Sequence, residues 1–144
     1  MTTASAWPHP VVIHGFDDAR LALDAAERLA IGSITLLSAP DAAGFMGAAW
    51  WRALIVLAAN LHPVILRQDL LDCGDAAGRA MEALRQGQRG LILSPECPQY
   101  AAIVERAGFL GAAVLPERPP GLDLSERDAL RKLDRWLSES DTHT

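Results

Sequence analysis

A chain of 144 residues, half of them hydrophobic and 22% charged, is long enough to bury a core and too apolar to be disordered over most of its length. The net charge of −5 at pH 7 argues against a nucleic-acid surface, which demands a basic face. Cys73 and Cys97 are too few for a disulfide framework. No signal-peptide pattern precedes the first strand, so a cytoplasmic location is expected.

Residues 1–10 hold Trp7 and two prolines and read as an N-terminal tail. The β-branched triplet Val11-Val12-Ile13, running on into His14-Gly15-Phe16, predicts a first buried strand. Asp17 has the side chain of a helix cap. The helix it would open carries an apolar stripe of Leu21, Ala22, Ala25, Ala26 and Leu29, and Gly32 ends it. Ser33–Leu37 predicts a second strand, followed at once by the turn Ser38-Ala39-Pro40-Asp41. Ala42–Leu61 is the most apolar stretch, broken only by Arg52 and Asn60. Roughly 20 apolar residues can span a bilayer. Here Arg52 would lie near the centre at a cost of about 2.5–3.5 kcal/mol, and Gly44 and Gly47 delay the helix to about Gly47. A membrane span is therefore not expected. The stretch predicts a helix apolar on nearly all sides.

Val64–Leu71 and Gly90–Leu93 predict two further strands, with a helix between them opening at Asp75 and stopping at Gly87. That is the parallel crossover unit. Pro98 suits a first helical turn, Gln99–Ala107 is helical in pattern, and Gly108 is its expected stop. Ala112–Leu115 predicts a fifth strand and Glu117–Gly121 a stiff loop. Ser125 and Asp128 then resemble a capping box, with Leu130, Leu133 and Leu137 on one helical face. Residues 138–144 form a polar C-terminal tail.

Five βα units predict a single α/β domain over residues 11–137, built on a five-stranded parallel sheet with flanking helices. The flavodoxin-like strand order 2-1-3-4-5 is the commonest arrangement at this size. A half (β/α) barrel, with its helices on one side, is the alternative.

Ligands of such sheets bind at the carboxyl ends of the strands. That rule places Asp17, Ser38, Asp72, Ser94 and Glu96 in a candidate ligand-binding edge, with His14, Asp41, Glu117 and Arg118 nearby in the same set of loops. The loop from Ser38 to Gly47 leads into a helix N-terminus, which favours an anion, although neither GK[ST] nor GxGxxG is present. No metal is expected. His14, Cys73 and Cys97 could meet as an open zinc site, but no short CxxC or HxxxH spacing supports it. Asp72 can serve either a site or the loop Cys73-Gly74-Asp75. No motif specifies a cofactor or a reaction. Binding of a small anionic metabolite is one reading; a non-catalytic regulatory or interaction module is the other. The helix from Trp50 to Leu61 shows too much apolar surface for one sheet to cover, so a homodimer through it is expected.

In order and spacing of elements, Val11–Leu137 resembles a response-regulator receiver domain. Asp17-Asp18 follows the first strand, Asp72 ends the third, and Ser94 ends the fourth. The ending AAVLPERPPGLDLSERDALRKLDRWL resembles that family's fifth strand, proline-containing loop and last helix. The resemblance implies a phosphate-accepting Asp72 and a magnesium-holding acidic pair. The family's lysine after strand five has no counterpart in Leu115-Pro116-Glu117-Arg118-Pro119. The segment LLDCGDAAGRAMEALRQGQRGLIL is similar to βαβ segments of phosphate-binding (β/α)-barrel enzymes such as small keto-acid aldolases. Their Schiff-base lysine is missing too, because Lys132, the only lysine, falls in the last helix.

Overall fold

Six strands and six helices are formed within residues 6–63 and 65–139, the residues described by the computed structural model. Much of both expected tails, residues 1–5 and 140–144, lies outside the described residues, as does Val64, the expected start of the third strand. The elements are β1 (Pro10–Val12), α1 (Phe16–Arg28), β2 (Ile34–Leu37), α2 (Ala42–Phe45), α3 (Ala48–Leu61) and β3 (Leu66–Asp72). Then come α4 (Ala77–Arg85), β4 (Gly90–Ile92), α5 (Tyr100–Phe109), β5 (Ala113–Leu115), β6 (Leu122–Asp123) and α6 (Ala129–Ser138). No helix among the described residues is long and apolar enough to cross a membrane.

The strand order is β5-β4-β3-β2-β1-β6. Pairing is parallel between β1 and β2, β1 and β6, β3 and β4, and β4 and β5. Beside β2 the bonds climb together, from Ile34 N–H to the Ile65 carbonyl and from Ser38 N–H to that of Leu70, so this neighbour is parallel as well. The expected order 2-1-3-4-5 is thereby corrected. The second neighbour of β1 is β6, a strand absent from the sequence reading, and β1 to β5 follow one another in chain order. Gly121 explains how the late strand reaches β1: a Cβ there would lie 3.1 Å from the Pro10 carbonyl oxygen. Any side chain there would have to push the Pro10 backbone away by a few tenths of an ångström, so glycine suits the close approach.

By contacts the chain divides into two compact units. The first takes the chain up to Leu37, Leu57–Gln68, and everything from Pro119 on; the second takes Ser38–Val56 and Asp69–Arg118.

In the first unit, β1 lies between β2 and β6. Helix α1 buries Ala19, Ala22, Leu23 and Ala26, and α6 buries Ala129, Leu133 and Leu137. Both sets follow helical spacing. Of the expected stripes, Ala22, Ala25 and Ala26 on α1 and Leu133 and Leu137 on α6 are buried, whereas Leu21 and Leu130 are exposed. Asp17 does not cap α1 either. The N-cap is Gly15, and Asp17 sits in the first turn, where a negative charge favours the helix end. Arg28 ties α1 to α6 through two hydrogen bonds to Asp134, each 2.9 Å, and the Trp136 indole donates to the Pro10 carbonyl at 2.8 Å. Thr35, fully buried in β2, has a hydroxyl with no partner among the described residues. An unpaired buried hydroxyl costs about 1–3 kcal/mol. Thr35→Val should therefore stabilise the protein by about 1 kcal/mol, read as a higher urea midpoint at unchanged slope.

In the second unit, β4 lies between β3 and β5. Leu70, Leu71, Leu91, Ile92 and Leu93 are buried, with Trp51, Leu54 and Ile55 of α3. Asp75 is not the cap of α4. Ala76 takes that position and no side chain caps the helix, while Gly87, at φ 90°, closes it as its pattern predicts. Gly108 does not stop α5, which runs on to Phe109 before Gly111 turns left-handed at φ 73°. A glycine costs a helix only about 1 kcal/mol, so packing carries the helix past it. Asp69 of β3 gathers three donors on Oδ2: the Trp51 indole at 2.8 Å, Arg52 Nη1 at 3.0 Å and Gln88 Nε2 at 2.7 Å. Arg52, one of the two polar residues that interrupt the apolar stretch, is thus committed to a carboxylate.

Candidate functional site

At the strand ends of the second unit a chain of hydrogen bonds connects four loops. Asp72 ends β3 with its side chain only 7% exposed. Its Oδ1 accepts the Gly74 N–H at 2.8 Å, and its Oδ2 accepts Arg118 Nη1 at 2.7 Å. The Asp72 N–H donates to Ser38 Oγ at 2.9 Å, and the Ser38 hydroxyl donates onward to the Ala39 carbonyl at 3.0 Å. Arg118 closes the ring by donating from Nη2 to the Ser38 carbonyl at 2.9 Å. On the other side, the Gly74 carbonyl accepts the Ser94 N–H at 2.7 Å, and Ser94 Oγ accepts the Glu96 N–H at 3.2 Å.

Two left-handed positions shape this edge. Gly74 has φ 62°, and a Cβ there would overlap Asp41 Oδ1. Asp41 is itself left-handed at φ 59°, a conformation aspartate tolerates better than most residues. The exposed Asp41 carboxylate is thereby brought against the Gly74 backbone.

Of the five candidate residues, Ser38, Asp72 and Ser94 come together here, and exposed Glu96 adjoins Ser94. Asp17 does not join them. It belongs to the first unit, with its side chain 88% exposed and 3.6 Å from Arg20. Ser38 and Asp72 are buried and already committed to protein partners. The residue missing from the candidate set is Arg118. Its side chain is 27% exposed, and only some of its several N–H donors have partners among the described residues. The signal was available, because Arg118 is the only lysine or arginine in the segments directly following β1 to β5 up to their next element or turn.

The neighbouring thiol is inert. Burial, then the Asp72 charge, pushes the Cys73 pKa up to about 12, so the free thiolate needed for nucleophilic attack is scarce at neutral pH. Cys97 is buried, its Sγ 3.5 Å from Gln99 Oε1. Among the described residues, no three or more His, Cys, Asp or Glu side chains are grouped to hold a metal ion.

The first unit has a strand-end cluster of its own. His14 follows β1, and Asp123 ends β6, the strand paired with it. His14 Nε2 lies 2.7 Å from Asp123 Oδ1. The same oxygen accepts the Ser125 N–H at 2.9 Å and the Ser125 hydroxyl at 2.8 Å. Asp18 Oδ2 accepts the His14 backbone N–H at 2.9 Å. Burial alone would raise the Asp123 carboxyl. The hydrogen bonds from Ser125 and His14 outweigh it and hold the pKa below its ordinary value. Ser125 was expected to cap the last helix. It binds Asp123 instead, and the N-cap of α6 is Asp128 in a left-handed conformation.

The chain matches no family model and no curated protein. What can be said of its class comes from the fold: a parallel α/β sheet with helices alternating along the chain.

Proposed function

We propose that the protein binds a small anionic metabolite at the strand ends of its second unit, through Arg118. The observation that carries this reading is the way Asp72 and the Ser38 carbonyl hold the guanidinium in one orientation while leaving N–H donors uncommitted. A pre-oriented arginine loses little freedom when it meets a planar carboxylate or a phosphate, which is what its fork of donors fits. Ser38 and Asp72 act as positioning residues, and Ser94 and Glu96 border the site. Asp17 has no part in it. The test is a thermal-shift screen with inorganic phosphate, sugar phosphates and small dicarboxylates. A ligand at a hundred times its Kd stabilises by about 2.7 kcal/mol. The shift should disappear in Arg118→Gln, whose own melting point serves as the baseline. An equal shift in the wild type and the variant would place the anion elsewhere.

A second reading, an interaction module acting as a homodimer, is supported by α3. Trp51, Leu54, Ile55 and Ala58 are buried, whereas Val56 is 53% and Leu57 57% exposed, with Leu61 also open to solvent. Burying such surface contributes on the order of 25 cal/mol per Å², and a two-fold pairing is the commonest arrangement that buries it. Light scattering at micromolar concentration should give twice the mass of one chain, falling to a single chain in Val56→Glu/Leu57→Glu. A wild-type mass of one chain removes the dimer.

A further inference from the structure

We propose that His14 is a general base, held in place by Asp123, that takes a proton from water or an alcohol hydroxyl. The proposal concerns the first unit and does not rest on Arg118. Four observations support it. His14 and Asp123 come from the carboxyl ends of two paired parallel strands, where Val12 and Asp123 are in register. This is the edge at which α/β proteins place their chemistry. The contact is short, 2.7 Å from Nε2 to Oδ1. Asp123 is itself fixed by both donors of Ser125, so the carboxylate cannot turn away without losing three hydrogen bonds. Finally, the His14 side chain is 37% exposed, and its Nδ1 has no partner among the described residues.

The chemistry follows from the tautomer. Asp123 is an ionised acceptor at neutral pH, so its contact with Nε2 is attractive only if Nε2 carries hydrogen. The neutral ring then keeps its lone pair on Nδ1, the accessible nitrogen. A hydroxyl at Nδ1 gives its proton to the ring, and its electron pair stays on oxygen as the attacking nucleophile. The imidazolium so formed is stabilised by Asp123, whose hydrogen bond then joins two opposite charges. With an ester as the electrophile, the oxygen adds to the acyl carbon, the bond to the alcohol departs with its electron pair, and the ring returns its proton to solvent. Atoms and charge balance without a further reagent.

The probe is p-nitrophenyl acetate, hydrolysed by the intact protein. General-base assistance is worth about 10²-fold or more when the base is well positioned. At equal concentration, His14→Gln should lose at least about ten-fold of the protein-dependent rate, whereas His62→Gln, altering a histidine held between Asp24 and Glu27, should lose none. The wild-type reaction should slow in deuterium oxide. Asp123→Asn should lower the rate with His14 still in place, and Asp123→Glu, which keeps a carboxylate, should restore part of it, a rescue that a purely structural loss would not give. Circular dichroism confirms that each variant is folded. A wild-type rate no greater than that of His14→Gln overturns the proposal. An Asp123→Asn rate equal to that of the wild type overturns the part played by Asp123.

Discussion

Asp69→Ala should lower the unfolding free energy by about 3 kcal/mol, the cost of removing one partner from a buried charged cluster. The carboxylate is 16% exposed and serves the indole of a fully buried Trp51, the Arg52 guanidinium and the amide of Gln88, which is 1% exposed. Without Asp69, the Trp51 N–H has no other acceptor among the described residues. Gln88 keeps its bond to the Gly90 carbonyl, and Arg52 keeps Gln88 Oε1. The loss is therefore concentrated on one orphaned donor and one uncompensated cation, each expensive in a low dielectric. Asp69→Asn, which preserves an acceptor but not the charge, should cost less. Urea denaturation measures both. A loss below 1 kcal/mol for the alanine variant would mean that water replaces the carboxylate.

Arg118→Ala should cost a similar amount, again about 3 kcal/mol, because it leaves Asp72 ionised and 7% exposed with only the Gly74 N–H to stabilise it. The informative comparison is a double-mutant cycle with Asp72→Asn. Once Asp72 is neutral, removing Arg118 leaves no buried charge, so the double variant should be more stable than the sum of the single losses predicts. Simple additivity would show that the ion pair is not coupled. The same variants separate folding from function: Asp72→Asn should weaken the anion-induced thermal shift by loosening Arg118, even at temperatures where the variant is fully folded.

The central βαβ unit was legible in the sequence because its signals are local. The apolar run into Asp72, the left-handed Gly87 and the strand at Gly90 are each set by neighbours in the chain. The strand order was not legible. A crossover pattern fixes that the next strand is parallel, but not on which side it is added. The strand that decides the matter, Leu122–Asp123, is two residues long and has no periodicity to detect. Helix starts were misread for a different reason. Asp17, Asp75 and Ser125 all have side chains suited to caps, yet such side chains bond to whatever donor or acceptor is nearest, and for Ser125 that is Asp123. The edge residues Ser38, Asp72 and Ser94 could be placed from the strand-end rule alone. The same rule reaches Arg118, but its pairing with Asp72, 46 positions away, was not legible.

The pairing of β1 with β6 also dictates an order of events during synthesis. Once Arg118 has emerged from the ribosome, every residue of the second unit exists, and its strands follow one another closely in the chain. The first unit is still open. Its β1 is made well before its neighbour on one side, the aspartate that holds His14 and the tryptophan that caps the Pro10 carbonyl, with His14 and Asp123 109 positions apart. Closing so long a loop is slow compared with local crossovers. Throughout elongation, then, one side of β1 is an unpaired strand edge, the kind of surface on which a nascent chain recruits either a chaperone or another copy of itself.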